Sequence, residues 1–398
     1  MAALIHSHSH SQSQSQSQSQ SRFVACCVFV LTLLLACAQA VAQELNVSLR
    51  EQVLMLPKKG ALFTSLLETT VYMPPGDGPF PLVVINHGKA PGNPRFQARY
   101  RPSAAARFFL QRGYAVLVPM RQGFSKSEGS YIGGGCNVES NGEVQAEDIK
   151  AVLDHVTTLG WADKTRILVA GQSHGGWTTL AFGALGYPGV RGLVNFAGGL
   201  RQVDCAGWEA GLARAGSGYA KKAKAPSIWF YGDNDSYFPV RVFQALHENY
   251  LAAGGQAELV SFGQFGSDAH AMFGSRAGET IWQPRVEAFM RLTGLPTDMV
   301  YPDLGVAPRI SVPPASGFAA LTEDDKLPHM KATGRDGYKA FLTKQYPRAF
   351  ALSGGGAWGW AEMGDDPLQR ALANCNKHAK DKPCKLYAVD DQVVWIND

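Results

Sequence analysis

Apolar residues fall in short runs separated by stretches with helical spacing, and the two alternate along most of the chain. Runs such as Leu82-Val83-Val84-Ile85 are apolar without a break, the pattern of strands covered on both faces. Strands are expected at residues 66–73, 81–86, 114–119, 166–170, 190–196, 227–231 and 257–262. Helices are expected between most of them, at 103–111, 142–159, 174–185, 240–253 and 278–292. Strands alternating with helices predict an open, mostly parallel sheet flanked by helices. A hairpin-like pair ending at Pro74-Pro75-Gly76-Asp77-Gly78 predicts an antiparallel start.

The pattern changes near residue 295. Pro296, Pro302, Pro308, Pro313 and Pro314 mark residues 295–320 as a linker. Residues 321–398 then read as a small α+β domain, with helices expected at 336–344 and 367–378 and apolar runs at 349–353, 357–361, 385–389 and 393–395. Trp358, Trp360, Tyr387 and Trp395 could stack on sugars, but so many aromatics in a small domain are more simply its core.

Residues 1–42 are of a different kind. Ser alternates with His and then with Gln over residues 6–21, a low-complexity stretch that cannot build a core. A loose metal site at His6, His8 and His10 is the less favoured reading of it. Arg22, an apolar run over 23–38 and small residues around Ala40 and Ala42 read as a secretory signal peptide. The rival reading is a lipobox at Leu34-Leu35-Ala36-Cys37, which would anchor the chain by a lipid on Cys37. Residues 43–294 remain as the larger domain.

Export changes how the cysteines read. Outside the targeting segment the chain keeps Cys136, Cys205, Cys375 and Cys384, an even number for an oxidising compartment. Three pairings are possible, and proximity favours Cys375 with Cys384, leaving Cys136 with Cys205. Apolar residues at 45% and charged residues at 18% describe an ordinary globular protein, and a net charge of +4 without a basic stripe argues against nucleic acid.

The chemistry centres on Gly171-Gln172-Ser173-His174-Gly175. A Gly-x-Ser-x-Gly turn between a strand and a helix is a nucleophile elbow, whose tight turn lifts the serine hydroxyl out of the sheet edge. A serine needs a base, and the base needs an orienting acid. Downstream, Gly232-Asp233-Asn234-Asp235 follows one strand and Gly266-Ser267-Asp268-Ala269-His270 follows the next. Asp235 is taken as the acid, with Asp233 as alternate, and His270 as the base. The backbone N–H groups of His174 and Lys89 are taken as oxyanion donors. His87 is read as packing near the site, and Arg121 as a solvated loop charge in preference to a contact for an acidic substrate. The Gly- and Ser-rich segment 121–141 and the connection 198–218 could form a short lid.

His87-Gly88, the Ser173 elbow, Gly232-x-x-Asp235 and His270 together resemble the α/β-hydrolase superfamily, specifically its dienelactone hydrolase-like branch, across about residues 50–292. The resemblance implies the α/β-hydrolase fold and acyl-enzyme chemistry without metal or organic cofactor. The chain departs from cytoplasmic dienelactone hydrolases in carrying Ser173 where they use cysteine, in export and in its C-terminal domain. Secreted esterases and serine peptidases of the superfamily are the closer models. An exported serine hydrolase acting on a small-molecule ester is therefore expected. Alternatives are a peptidase, an acyltransferase, or an envelope-binding protein with a vestigial hydrolase domain that touches the cell envelope through residues 321–398.

Overall fold

An eight-stranded sheet carries the larger part of the chain in a computed structural model that describes residues 45–60, 63–305, 311–362 and 367–397. The low-complexity segment and the expected signal peptide at 1–42, the His6, His8 and His10 run and Cys37 lie outside the described residues. The strands are β1 (Glu51–Lys59), β2 (Thr64–Tyr72), β3 (Phe80–Asn86), β4 (Ala115–Pro119), β5 (Ala162–Gln172), β6 (Val190–Phe196), β7 (Ser227–Tyr231) and β8 (Ala257–Ser261). They lie in the order β1-β2-β4-β3-β5-β6-β7-β8. β1–β2 and β2–β4 are antiparallel, and every pair from β4–β3 to β7–β8 is parallel. This is the α/β-hydrolase fold, with the antiparallel start expected from the sequence.

Helices cover both faces: α1 (Ser103–Leu110), α2 (Val138–Val156), α3 (His174–Gly183), α4 (Trp208–Ala220), α5 (Val240–Ala252) and α6 (Arg276–Leu292). Successive strand residues point to opposite faces. Val83 and Ile85 of β3 accordingly pack with Phe108 of α1 and Trp282 of α6. Leu82 and Val84 pack on the other face with Val152 of α2, Trp177 of α3, Leu212 of α4 and Leu246 of α5. Burial on both faces is why these strands read as unbroken apolar runs.

Two elements differ from expectation. The first strand of the expected hairpin has no bounds in the sequence reading, because Pro57 and a lysine pair interrupt β1; it is the edge strand, where a missing N–H costs no ladder bond. The connection 198–218 contains α4, whose Gly211, Gly216 and Gly218 read as loop residues. Two of these glycines permit contact instead: a Cβ on Gly216 would lie 2.4 Å from Leu246 Cδ1, and one on Gly218 2.3 Å from Glu139 Oε1.

Residues 296–305 lie along the first sheet's domain, with Tyr301 Oη donating to the Pro75 carbonyl and Arg107 Nε to that of Gly305. Beyond them stand α7 (Ala332–Leu342), β9 (Arg348–Ser353), β10 (Trp358–Glu362), α8 (Pro367–Asn376), β11 (Cys384–Val389) and β12 (Gln392–Val393). The strands form a separate antiparallel sheet in the order β10-β9-β11-β12. Its core holds Tyr338, Phe341, Phe350, Tyr387 and Trp395, with Trp358 stacked on Phe350. Cys136 is bonded to Cys205, and Cys375 to Cys384.

Candidate active site

β5 ends at Gln172, α3 begins at His174, and Ser173 between them has φ 56° and ψ −124°. A positive φ is costly for a residue with a Cβ and persists only where its surroundings enforce it. Here Ser173 N donates to the Phe196 carbonyl at 2.9 Å, and Gly199 N and Trp177 N donate to the Ser173 carbonyl at 3.2 and 3.0 Å. The flanking glycines are obligatory. A Cβ on Gly175 would sit 2.1 Å from the Asn86 carbonyl oxygen, and one on Gly171 would sit 2.3 Å from that of Gly175.

The loops after β7 and β8 bring Asp235 and His270 together. His270 Nδ1 lies 3.0 Å from Asp235 Oδ2 and 3.2 Å from Oδ1. Asp235 is buried, and its Oδ1 also accepts from the backbone N–H groups of Tyr237 and Phe238, both at 2.8 Å. Asp233 is exposed, and His270 meets Asp235 instead. Gln172 Nε2, one residue before Ser173, donates to the His270 carbonyl at 2.9 Å. Ser173 Oγ itself has no hydrogen-bond partner among the described residues. Catalytic contacts are often long until substrate is bound.

Gly88 packs against the serine, so that a Cβ there would be 4.0 Å from Ser173 Oγ. His87 is buried and both ring nitrogens are occupied. Arg121 N, which can only donate, gives its proton to Nε2 at 3.1 Å, so the ring proton sits on Nδ1 and goes to the Gly88 carbonyl at 2.7 Å. The Nε2 lone pair of His87 is therefore taken up by the Arg121 N–H and is not free to act as a base. The Gly88 carbonyl and the Lys89 N–H belong to one planar peptide. Fixing the carbonyl through His87 turns the N–H the opposite way. Neither the His174 N–H nor the Lys89 N–H has an acceptor among the described residues.

Arg121 corrects the sequence reading. It is fully buried rather than solvated, and burial lowers its pKa to about 10. Its Nη1 donates to the His87 carbonyl at 2.6 Å, while Nη2 lies 3.4 Å from the Gly88 carbonyl and from His174 Nδ1. The Asn141 amide donates to the Ile132 and Gly133 carbonyls, so its Oδ1 must accept from His174 Nε2 at 2.8 Å. The His174 ring is thus neutral and held between Asn141 and Arg121. Burial first, and then the Arg121 charge, hold the pKa of both His87 and His174 well below the ordinary value.

The disulfide Cys136–Cys205 joins the two loops considered as a lid, and Gln202 Nε2 adds a bond to the Gly135 carbonyl at 2.8 Å. Tyr237, not singled out in the sequence, lies with its ring 4.5 Å from that of His270. Asp268 was also passed over. Its Oδ1 caps the His270 N–H at 2.9 Å, a role signalled only by its place two residues ahead. A cleft of about 780 Å³ lies elsewhere, around Lys164, Tyr187 and Arg191 at the start of β5 and β6. The groups described above all gather at the opposite, C-terminal strand ends, where sheets of this kind hold their sites.

Residues 64–252 match the family profile of the X-Pro dipeptidyl-peptidases of family S15. With that match, the sheet order and the Ser173 elbow agree. The chain has the α/β-hydrolase fold. No curated protein matches this sequence. Similar solved structures include a candidate dienelactone hydrolase from Klebsiella pneumoniae, 19% identical with a TM-score of 0.45, covering 61% of this chain and 98% of that one. An esterase from Pyrococcus furiosus is 18% identical with a TM-score of 0.46, covering 63% of this chain and 95% of its own. An acylaminoacyl peptidase from Pyrococcus horikoshii is 17% identical with a TM-score of 0.47, over 61% of this chain and 41% of the peptidase.

Proposed function

We propose that the chain is an exported serine hydrolase that cleaves carboxylic esters through an acyl-enzyme. The observation that carries this reading is the Asp235–His270 hydrogen bond at the strand ends beside the strained Ser173. His270 Nε2 takes the Ser173 proton as Oγ attacks the ester carbonyl, and Asp235 stabilises the imidazolium. The N–H groups of His174 and Lys89 receive the oxyanion. Collapse expels the alcohol with the proton returned by His270, and water then attacks the acyl-enzyme with His270 again as base. Two disulfides fit an oxidising compartment and support export after removal of residues 1–42, with 43–294 as catalytic domain, 295–320 as linker and 321–398 as a second domain.

The family S15 match favours a second reading, removal of X-Pro dipeptides. Such a substrate carries a free ammonium, which a carboxylate would have to receive. Of the carboxylates beside His270, Asp235 holds the imidazole and Asp268 binds Ser236 and the His270 N–H. Arg201, whose guanidinium lies 5.9 Å from the Tyr237 ring and donates to the Ser236 carbonyl, adds a positive charge on that side, while the carboxylate of Asp233 in the same loop is exposed to solvent. That environment disfavours an ammonium and leaves the ester reading ahead.

Labelling with a fluorophosphonate tests the nucleophile, and p-nitrophenyl acetate against an X-Pro p-nitroanilide tests the substrate class. Labelling lost in both Ser173→Ala and His270→Ala, with turnover of the ester alone, is the expected result. A folded wild type that does not label would overturn the hydrolase reading; turnover of the anilide alone would replace it with the peptidase.

A further inference from the structure

Residues 311–397 contribute no group to the chemistry above, yet they meet it at the segment that carries His270. Gly266 and Gly274 bracket that segment, and each packs on the C-terminal unit. A Cβ on Gly266 would lie 2.9 Å from Asp391 Oδ2, and one on Gly274 would lie 2.7 Å from the Tyr346 carbonyl oxygen. Between them, Ser267 Oγ donates to Asp391 Oδ1 at 3.2 Å. Asp391 is held in turn by the Tyr346 hydroxyl and by Arg348 Nη2 at 3.4 Å. Arg348 is itself fixed, since its Nη1 donates to the carbonyls of Phe341, Leu342 and Lys344 at the end of α7.

The rest of the segment shows why this matters. Its C-terminal half is pinned in the core, where Phe273 stacks on Phe196 at 4.0 Å. Its N-terminal half is tied chiefly to the loop that holds Asp235. The Asn234 side chain bonds Phe265 N and the Gly266 carbonyl, and Asp268 takes the Ser236 N–H at 3.0 Å and its hydroxyl at 2.6 Å. Those bonds keep Asp235 and His270 together, but they let the two loops shift as one body relative to Ser173. Gln172 on the elbow, Arg201 through the Ser236 carbonyl and Asp391 in the turn between β11 and β12 are hydrogen-bonding anchors outside that body, and of these Gln172 and Asp391 hold the segment that carries His270.

We propose that the C-terminal unit is a positioning element for His270, in which Asp391, held by Tyr346 and Arg348, fixes Ser267 and so sets the imidazole against Ser173. The proposal rests on the Ser173–His270–Asp235 reading. Asp391 and Ser267 are positioning residues, because neither touches the reacting atoms. A base must be held to within about 0.5 Å of its productive place, and a loop without regular structure does not achieve this alone.

The test uses the full chain with Asp391→Ala, Ser267→Ala, Asp391→Asn and, as a control in the same unit, Glu323→Ala. Turnover of p-nitrophenyl acetate and hydrogen exchange of residues 263–271 are measured together. Asp391→Ala and Ser267→Ala should lower kcat by about ten- to a hundredfold with KM within about twofold, the effect of a small misplacement of a catalytic group. Exchange in 263–271 should rise in both. Asp391→Asn keeps an acceptor for Ser267 and Tyr346 and should recover most of kcat; Glu323→Ala should behave as wild type. Ser267→Ala leaves the second sheet intact and decides the matter if Asp391→Ala does not fold. Unchanged kcat and exchange in both alanine variants, or no recovery in Asp391→Asn, would overturn the proposal. If wild type turns over no ester, the ester reading fails, and if it does not label with a fluorophosphonate the triad reading fails; exchange still decides whether Asp391 anchors the segment.

Discussion

Asp235 Oδ1 accepts from the backbone of Tyr237 and Phe238 while the same carboxylate receives the His270 Nδ1 proton. The acid is therefore fixed by its own loop before it orients the imidazole. Asp235→Asn keeps an acceptor for the two backbone donors but can turn its NH₂ toward Nδ1, which stabilises the wrong tautomer. Turnover of p-nitrophenyl acetate should fall by about 10³–10⁴-fold, with a melting temperature close to that of wild type. A loss under tenfold would remove Asp235 from the triad.

Gly175→Ala should abolish activity at the level of the fold. The added methyl would meet the Asn86 and His87 carbonyl oxygens at 2.1 and 2.6 Å, both backbone atoms that cannot swing aside. β3 and α3 would have to separate, moving Ser173 and Lys89 apart. Soluble yield and fluorophosphonate labelling should both drop; labelling at the wild-type rate would show that the elbow tolerates the methyl.

Stability should fall as pH drops below the ordinary histidine pKa of about 6.5. His87 and His174 are buried neutral, with folded-state pKa values well below that of the unfolded chain, chiefly through burial and then through Arg121. The unfolded chain takes up protons that the folded chain refuses, so the stabilisation is complete above the unfolded value and declines toward the depressed folded one. Each histidine contributes up to about 1.4 kcal/mol per pH unit in that window. Denaturant unfolding at pH 7.5, 6 and 5 should show this slope, reduced by about one proton in His174→Gln. An unchanged slope would mean that His174 is protonated in the folded state.

The sheet was legible because strands buried on both faces must be apolar throughout, so that β6 and β7 begin and end at the expected residues. That Asp235 and His270 meet was legible from chain order and strand ends. The hidden parts depend on tertiary contact. α4 was concealed by glycines that serve its packing against Leu246 and Glu139. Arg121 looked like a loop charge because nothing local shows that the His87 and Gly88 carbonyls converge on it. Ser267 and Asp391 stand 124 residues apart, and their bond has no signature in either stretch of sequence.

Arg121 ties the buried backbone carbonyls of His87 and Gly88 to the aim of the Lys89 peptide. Its guanidinium and backbone N–H contact His87 and Gly88, and through them set the peptide that carries the Lys89 N–H. Its charge is costly where it lies, because the nearest groups are carbonyls and imidazoles and its Nε has no partner. Arg121→Met keeps the apolar stem and the backbone bond to His87 Nε2, and removes the buried charge. Relief of the desolvation cost of the guanidinium is offset by the loss of the donor to the buried His87 carbonyl and of the positive charge near Asp148, so the melting temperature should fall modestly while the fold is kept. The Gly88–Lys89 peptide would lose its second tether. The kcat for p-nitrophenyl acetate should then fall by about tenfold or more, short of the 10²–10³-fold cost of deleting an oxyanion donor outright. Wild-type kcat in a stable Arg121→Met variant would show that His87 alone aims the peptide.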